Sequence, residues 1–91
     1  MLKHLNIKIC GQVQGVAFRV FSRTKAKELN IFGFVQNEKD GSVYIEAEGE
    51  PENLEKFMAW CRQGPRGAAV SKASFKVGED IKNFREFAIK Y

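Results

Sequence analysis

Odd and even positions differ in character at the start of the chain. Leu5, Ile7 and Ile9 are apolar, while Asn6 and Lys8 between them are polar. That alternation predicts a strand with one buried face. Gly11 and Gly15 break the pattern. Behind them the period lengthens, and Phe18, Ser22, Ala26 and Leu29 form one stripe of a helix over Phe18–Leu29, flanked by Phe21. Arg23, Lys27 and Glu28 lie outside that stripe. Asn30 is positioned to end the helix in the left-handed conformation. Ile31–Val35 reads as a second strand, and Asn37–Gly41 (NEKDG) carries the Asp-Gly signal of a hairpin loop. In a third strand Val43, Ile45 and Ala47 alternate with Tyr44, Glu46 and Glu48, giving one core face and one wet face. Pro51 suits the first turn of a second helix, with Glu52 and Glu55 near its positive end. Leu54, Phe57, Met58 and Cys61 make its buried stripe, with Trp60 alongside. Gly64–Gly67 (GPRG) stops this helix. A strand over Ala69–Val77 turns Ala73, Phe75 and Val77 to one side, GEDIKN forms a loop, and a short last strand brings Phe87 and Ile89 inward.

The order is βαββαβ with a small extra strand at the end. Two helices over one face of an antiparallel sheet is the α+β, ferredoxin-like sandwich. A chain of 91 residues makes one domain, here residues 1–91. A chain of this size buries roughly 60–65% of its unfolded surface, enough for one modest core.

Composition narrows the function classes. The hydrophobic content of 44% is that of an ordinary globular domain. Apolar runs are only a few residues long, so no membrane span is expected. The N-terminal MLKHLNIKIC lacks the apolar core of a secretory signal, and a cytoplasmic protein is expected. Cys10 and Cys61 make no disulfide framework, and Cys61 falls on the apolar stripe of the second helix, the position of a buried, inert thiol. The single histidine, His4, cannot by itself form a metal cluster or a catalytic pair, and no Cys/His grouping has zinc spacing. The formal charge of +4 comes from scattered Lys and Arg with acidic residues interspersed. Such scatter reads first as a solvated surface; nucleic acid is a minor reading, and a small anionic substrate would also benefit from the weakly positive field.

The chemistry concentrates in CGQVQGVAFR, Cys10–Arg19. A nucleotide-binding P-loop needs G-x-x-x-x-G-K-[ST], but the sixth residue counted from Gly11 is Val16. A dinucleotide loop needs G-x-G-x-x-G, and Gly11 is followed by Gln12, Val13 and Gln14. A cysteine-dependent phosphatase would carry its cysteine where Val13 stands, and Cys10 is a strand residue further from Arg19. Three phosphate chemistries are thereby set aside, while the physical features remain. Successive backbone N–H groups ahead of a helix N-terminus form an anion site by geometry. Gly15 allows the positive φ that such a nest needs. Arg19 in the first helical turn adds a planar fork matched to phosphate oxygens. On these residues alone an anion site and a plain turn with a surface arginine are equally good readings.

Phe32–Val35 (FGFV) echoes the signature of RNA-recognition motifs, whose element order is also βαββαβ. Asn30 and Ile31 stand where Arg/Lys and Gly belong, and Asn37 stands where a stacking aromatic belongs. The segment is also the second strand rather than the third. RNA binding is therefore disfavoured.

GQVQGVAFR, Gly11–Arg19, resembles the G-x-V-Q-G-V-x-F-R signature of the acylphosphatases. GFVQN followed by EKDGSVYIEAEG resembles the second signature of that family, with Gly33, Asn37, Gly41, Val43 and Gly49 at its spacing. The ending FAIKY resembles its aromatic–x–Ile–basic–Tyr close. The resemblance spans essentially the whole chain. It departs at Gln36, where the family often has Arg or Lys, and at Glu38, which sets a negative charge beside Asn37. The resemblance implies metal-independent hydrolysis of acyl phosphates, with no cofactor. It implies that Arg19 binds the phosphoryl group with the backbone of Gln14, Gly15, Val16, Ala17 and Phe18, and that Asn37 orients the attacking water. A monomer is expected, with a small acyl phosphate as its partner, inorganic phosphate as product and inhibitor, and neither nucleic acid nor membrane.

Overall fold

The computed structural model describes every residue from Met1 to Tyr91. β1 (Lys3–Gln12), β2 (Phe32–Asn37) and β3 (Val43–Gly49) lie side by side because each has an apolar face that only a shared core can bury. β1 runs antiparallel to β3, with Ile7 opposite Ile45 and Ile9 opposite Val43. β2 runs antiparallel to β3, with Val35 opposite Ile45. β4 (Ala69–Gly78) pairs antiparallel with the free side of β1, and β5 (Phe87–Lys90) joins β2, giving the order β4-β1-β3-β2-β5.

The first four strands are antiparallel, as expected, but β5 is parallel to β2, with Gly33 opposite Phe87 and Val35 opposite Ile89. The reason is the path of the chain. Residues 79–86 cross from the β4 edge to the β2 edge and reverse direction on the way. The sheet is therefore mixed.

Helix α1 (Phe18–Glu28) lies over β2 and β5, and α2 (Pro51–Gln63) over β4, β3 and β1. Their buried stripes are Phe18, Ser22 and Ala26 on α1 and Leu54, Phe57 and Cys61 on α2. Ser22 is tolerated among apolar groups because its hydroxyl donates to the Phe18 carbonyl at 2.7 Å. Phe57, fully buried, meets Trp60 at 6.1 Å and the edge of Phe87 at 6.0 Å between ring centroids. Burial pushes the Cys61 thiol up, away from thiolate reactivity. Asn30 takes φ 54° after α1, and Pro51 opens α2.

A further sequence expectation changes. The second face of β3 is not wet: Glu46 and Glu48 are buried. Residues 79–86 fold over them as a strap, and the backbone N–H groups of Lys82 and Phe84 donate to Glu48 at 2.5 and 3.2 Å. His4, also buried, sets Nδ1 2.7 Å from Glu48 and Nε2 3.1 Å from Glu46, and its ring stacks on Phe84. Val77, which shares a parity with Ala73 and Phe75, is 66% exposed on the edge strand β4. No helix is long and apolar enough to cross a membrane.

Candidate active site

β1 does not end at Gly11. A bulge between Cys10 and Gly11 shifts its register against β4, and Gly11 takes φ 125°. A Cβ there would run into the Ala69 carbonyl oxygen, so only glycine lets the two strands approach this closely. The chain then leaves the sheet through Val13, which is fully buried and anchors the loop to the core.

Beyond that anchor, Gly15 (φ 76°) and Ala17 (φ 60°) both adopt positive φ, on either side of Val16. Alternation of this kind curls successive amides towards one point. Ala17 is a non-glycine residue in the left-handed region, a conformation that costs about 1–2 kcal/mol. It is also the N-cap of α1 and caps the helix with no side chain, and the first turn carries no acidic residue. The first helical bond on this side runs from the Phe21 N–H to the Ala17 carbonyl at 3.1 Å. The amides of Phe18, Arg19 and Val20 thus have no intrahelical acceptor, and the positive end of the helix dipole is uncompensated.

Phe18, Arg19 and Val20 line a cavity of about 90 Å³. Gly15, Ala17, Phe18, Arg19 and Asn37 line it together. Of the residues singled out from the sequence, Gln14 and Val16 do not line it. Val16 packs against the core, and the Gln14 side chain turns the other way. The sequence reading did not foresee that Val13, Val20, Ile89 and Tyr91 would complete the wall. β5 delivers Ile89 by pairing with Val35, and no local pattern announces that contact.

Arg19 makes no ion pair with a carboxylate, and its guanidinium lies 4.9 Å from the centre of the Tyr91 ring. Its positive charge is left for something outside the protein. Tyr91 is almost fully exposed, so this contact steers the guanidinium while adding only about 0.5–1 kcal/mol.

Asn37 is the last residue of β2 and pairs with Val43. The hairpin beyond it is tightly fastened. The Glu38 N–H donates to the Ser42 carbonyl at 2.8 Å, and Asp40 accepts from the Ser42 N–H at 2.9 Å and from Lys8 at 2.9 Å. Hydrogen bonds from the Ser42 hydroxyl, from Lys8 and from the Ser42 amide hold Asp40 well below the usual carboxylate range. Glu38, a charge that would disturb an anion site, accepts from Gln36 at 3.1 Å. Neither residue reaches the cavity wall, so the two departures from the family pattern are paired with each other outside the cavity.

Fold and cavity together define a ferredoxin-like α+β domain with a small cleft at the head of α1 that holds Arg19 and Asn37. The acylphosphatase family model matches residues 5–89. The chain is 45% identical over 87 residues to an acylphosphatase of Archaeoglobus fulgidus, covering 96% of this chain and 97% of that protein. It is 41% identical over 90 residues to an acylphosphatase of Thermotoga maritima, covering 99% of each. The crystal structure of acylphosphatase from Bacillus subtilis matches with a TM-score of 0.95 at 33% identity, over 100% of both chains. The chain belongs to the acylphosphatase family. Family and fold support an enzyme that hydrolyses acyl phosphates.

Proposed function

We propose that this chain hydrolyses carboxylic–phosphoric mixed anhydrides by direct attack of water on phosphorus. Arg19 and the backbone amides of the Gln14–Phe18 loop hold the phosphoryl group, chiefly through Gly15, Ala17 and Phe18, which line the cavity, and Asn37 orients the water. The observation that carries this reading is one small cavity shared by an arginine with no carboxylate partner, a loop of left-handed residues before an uncapped helix, and Asn37.

The chemistry asks little of the protein. The leaving carboxylate has a pKa of about 4, so it departs as an anion without a general acid. A loose transition state leaves positioning and charge stabilisation as the main work. One full charge about 4 Å from a phosphoryl oxygen is worth about 4 kcal/mol at an effective dielectric constant of about 20. The Asn37 carbonyl can accept from water while staying neutral. A carboxylate there would be a stronger base but would repel the substrate. As the water oxygen bonds to phosphorus, the bond from phosphorus to the acyl oxygen breaks. A phosphoryl oxygen takes the proton that water loses. The products are the carboxylate and inorganic phosphate, with no metal or organic cofactor.

The test is release of benzoate from benzoyl phosphate with excess EDTA. Rapid release that EDTA leaves unchanged and inorganic phosphate inhibits is the expected result. Phosphate binding without turnover would mark an anion-binding module instead. Salt-dependent RNA affinity without turnover would mark a nucleic-acid module.

A further inference from the structure

The Gln14 side chain lies outside the cavity and is nevertheless fully engaged. Its amide nitrogen donates to the Glu38 carbonyl at 2.8 Å and to the Ser42 carbonyl at 2.8 Å. Those two carbonyls flank the mouth of the β2–β3 hairpin. The Glu38 N–H also donates to the Ser42 carbonyl there, and Glu38 directly follows Asn37. A primary amide has two N–H groups, and here each meets an acceptor on a different arm of the hairpin. Gln14 adjoins Gly15 of the phosphate-holding loop, 24 residues away in sequence from Glu38. No other side-chain hydrogen bond joins that loop to the hairpin.

We infer that Gln14 is a positioning residue: its side chain fixes the distance between the phosphoryl cradle and Asn37. The inference rests on the function proposed above and adds a side-chain role to a residue whose backbone alone entered that reading. Only a group with two donors can hold both arms. An apolar side chain would leave both carbonyls without it. A carboxylate would face them with negative charge. Misplacing an attacking group by about 1 Å can cost on the order of 10²-fold in rate, even when substrate binding is untouched. Gln14 should therefore act on kcat and leave the cradle's affinity for phosphate nearly intact.

The experiment compares wild-type protein with Gln14→Leu and Gln14→Glu, using benzoyl phosphate as substrate and inorganic phosphate as inhibitor. Inactive wild-type protein would defeat the proposed function itself. With active wild type, Gln14→Leu is expected to lose at least about 10-fold in kcat while phosphate inhibition stays within about 3-fold. Gln14→Glu is expected to be slow at about pH 8. Its rate relative to wild type should rise towards about pH 5, as the new carboxyl gains a proton and can donate once. Wild-type kcat in Gln14→Leu would overturn the inference. So would phosphate inhibition that weakens in step with kcat, since Gln14 would then shape the cradle rather than the approach of water. If Gln14→Leu does not fold, Gln14→Glu decides: recovery at low pH supports the inference, and a pH-independent ratio to wild type overturns it.

Discussion

Replacing Glu48 with leucine tests how the strap that carries β5 to the cavity is held. Glu48 is buried and accepts from the Lys82 and Phe84 backbone N–H groups and sits 2.7 Å from His4 Nδ1. Leucine fills the space but leaves two amides and a histidine nitrogen without their partner. Each unsatisfied donor costs about 1–3 kcal/mol. The strap can reopen to water, which returns part of this, so a net loss of about 3 kcal/mol is expected. In a domain of this size that lowers Tm by roughly 12–24 °C. The acid limb of the stability curve should change as well. Burial raises the carboxyl pKa of Glu48, but the Lys82 amide, His4 and the Phe84 amide outweigh it and hold the group below its usual range. A depressed folded-state pKa gives stability that is complete above the unfolded value, about 4.3, and is lost as pH falls through the folded value. Glu48→Leu should therefore flatten the wild-type loss of stability below about pH 4. Urea denaturation at neutral and acid pH measures both effects. A variant within about 0.5 kcal/mol of wild type at pH 7, with the acid slope unchanged, would refute this account of the strap.

Other substitutions address the cavity and the core. Arg19→Gln should lower kcat/KM for benzoyl phosphate by about 10³-fold and weaken inhibition by phosphate, because an unshared charge and a bidentate donor are both lost. Steady-state kinetics with a phosphate titration checks this, and near-normal activity would count against it. Asn37→Ala should lose about 10²–10³ in kcat while phosphate inhibition stays within about 3-fold and the far-ultraviolet dichroism is unchanged. Phe57→Ala should lose about 3–5 kcal/mol by denaturant titration, since the ring is fully buried between Trp60 and Phe87. A loss below 1 kcal/mol would mean that the two layers repack freely.

Local pattern made much of this fold legible. Ile7, Ile9, Val43 and Ile45 alternate with polar neighbours, and all four are fully buried. Pro51 and Asn30 mark helix boundaries because each has a backbone preference that few residues share. Alternation tells which residues share a face but not what later covers that face. That is why Glu48 reads as solvent-facing from the sequence, although Lys82 and Phe84, more than thirty residues on, seal it. The parallel pairing of β5 is hidden for the same reason, since four residues carry no signal of direction. Arg19 and Asn37 stand out only because two long signatures are read together. That they share one cavity depends on how β2 and the head of α1 pack. The side-chain bonds of Gln14 have no sequence signal, because a glutamine in a loop has no periodicity to betray its partners.

The central claim is that water attacks phosphorus in a group held by Arg19 and the loop amides. Hydrolysis of benzoyl phosphate by wild-type protein in heavy-oxygen water, followed by mass spectrometry of both products, tests it most directly. The account predicts the label in inorganic phosphate and none in benzoate. Label in benzoate would mean that water attacks the carbonyl carbon, and would contradict it.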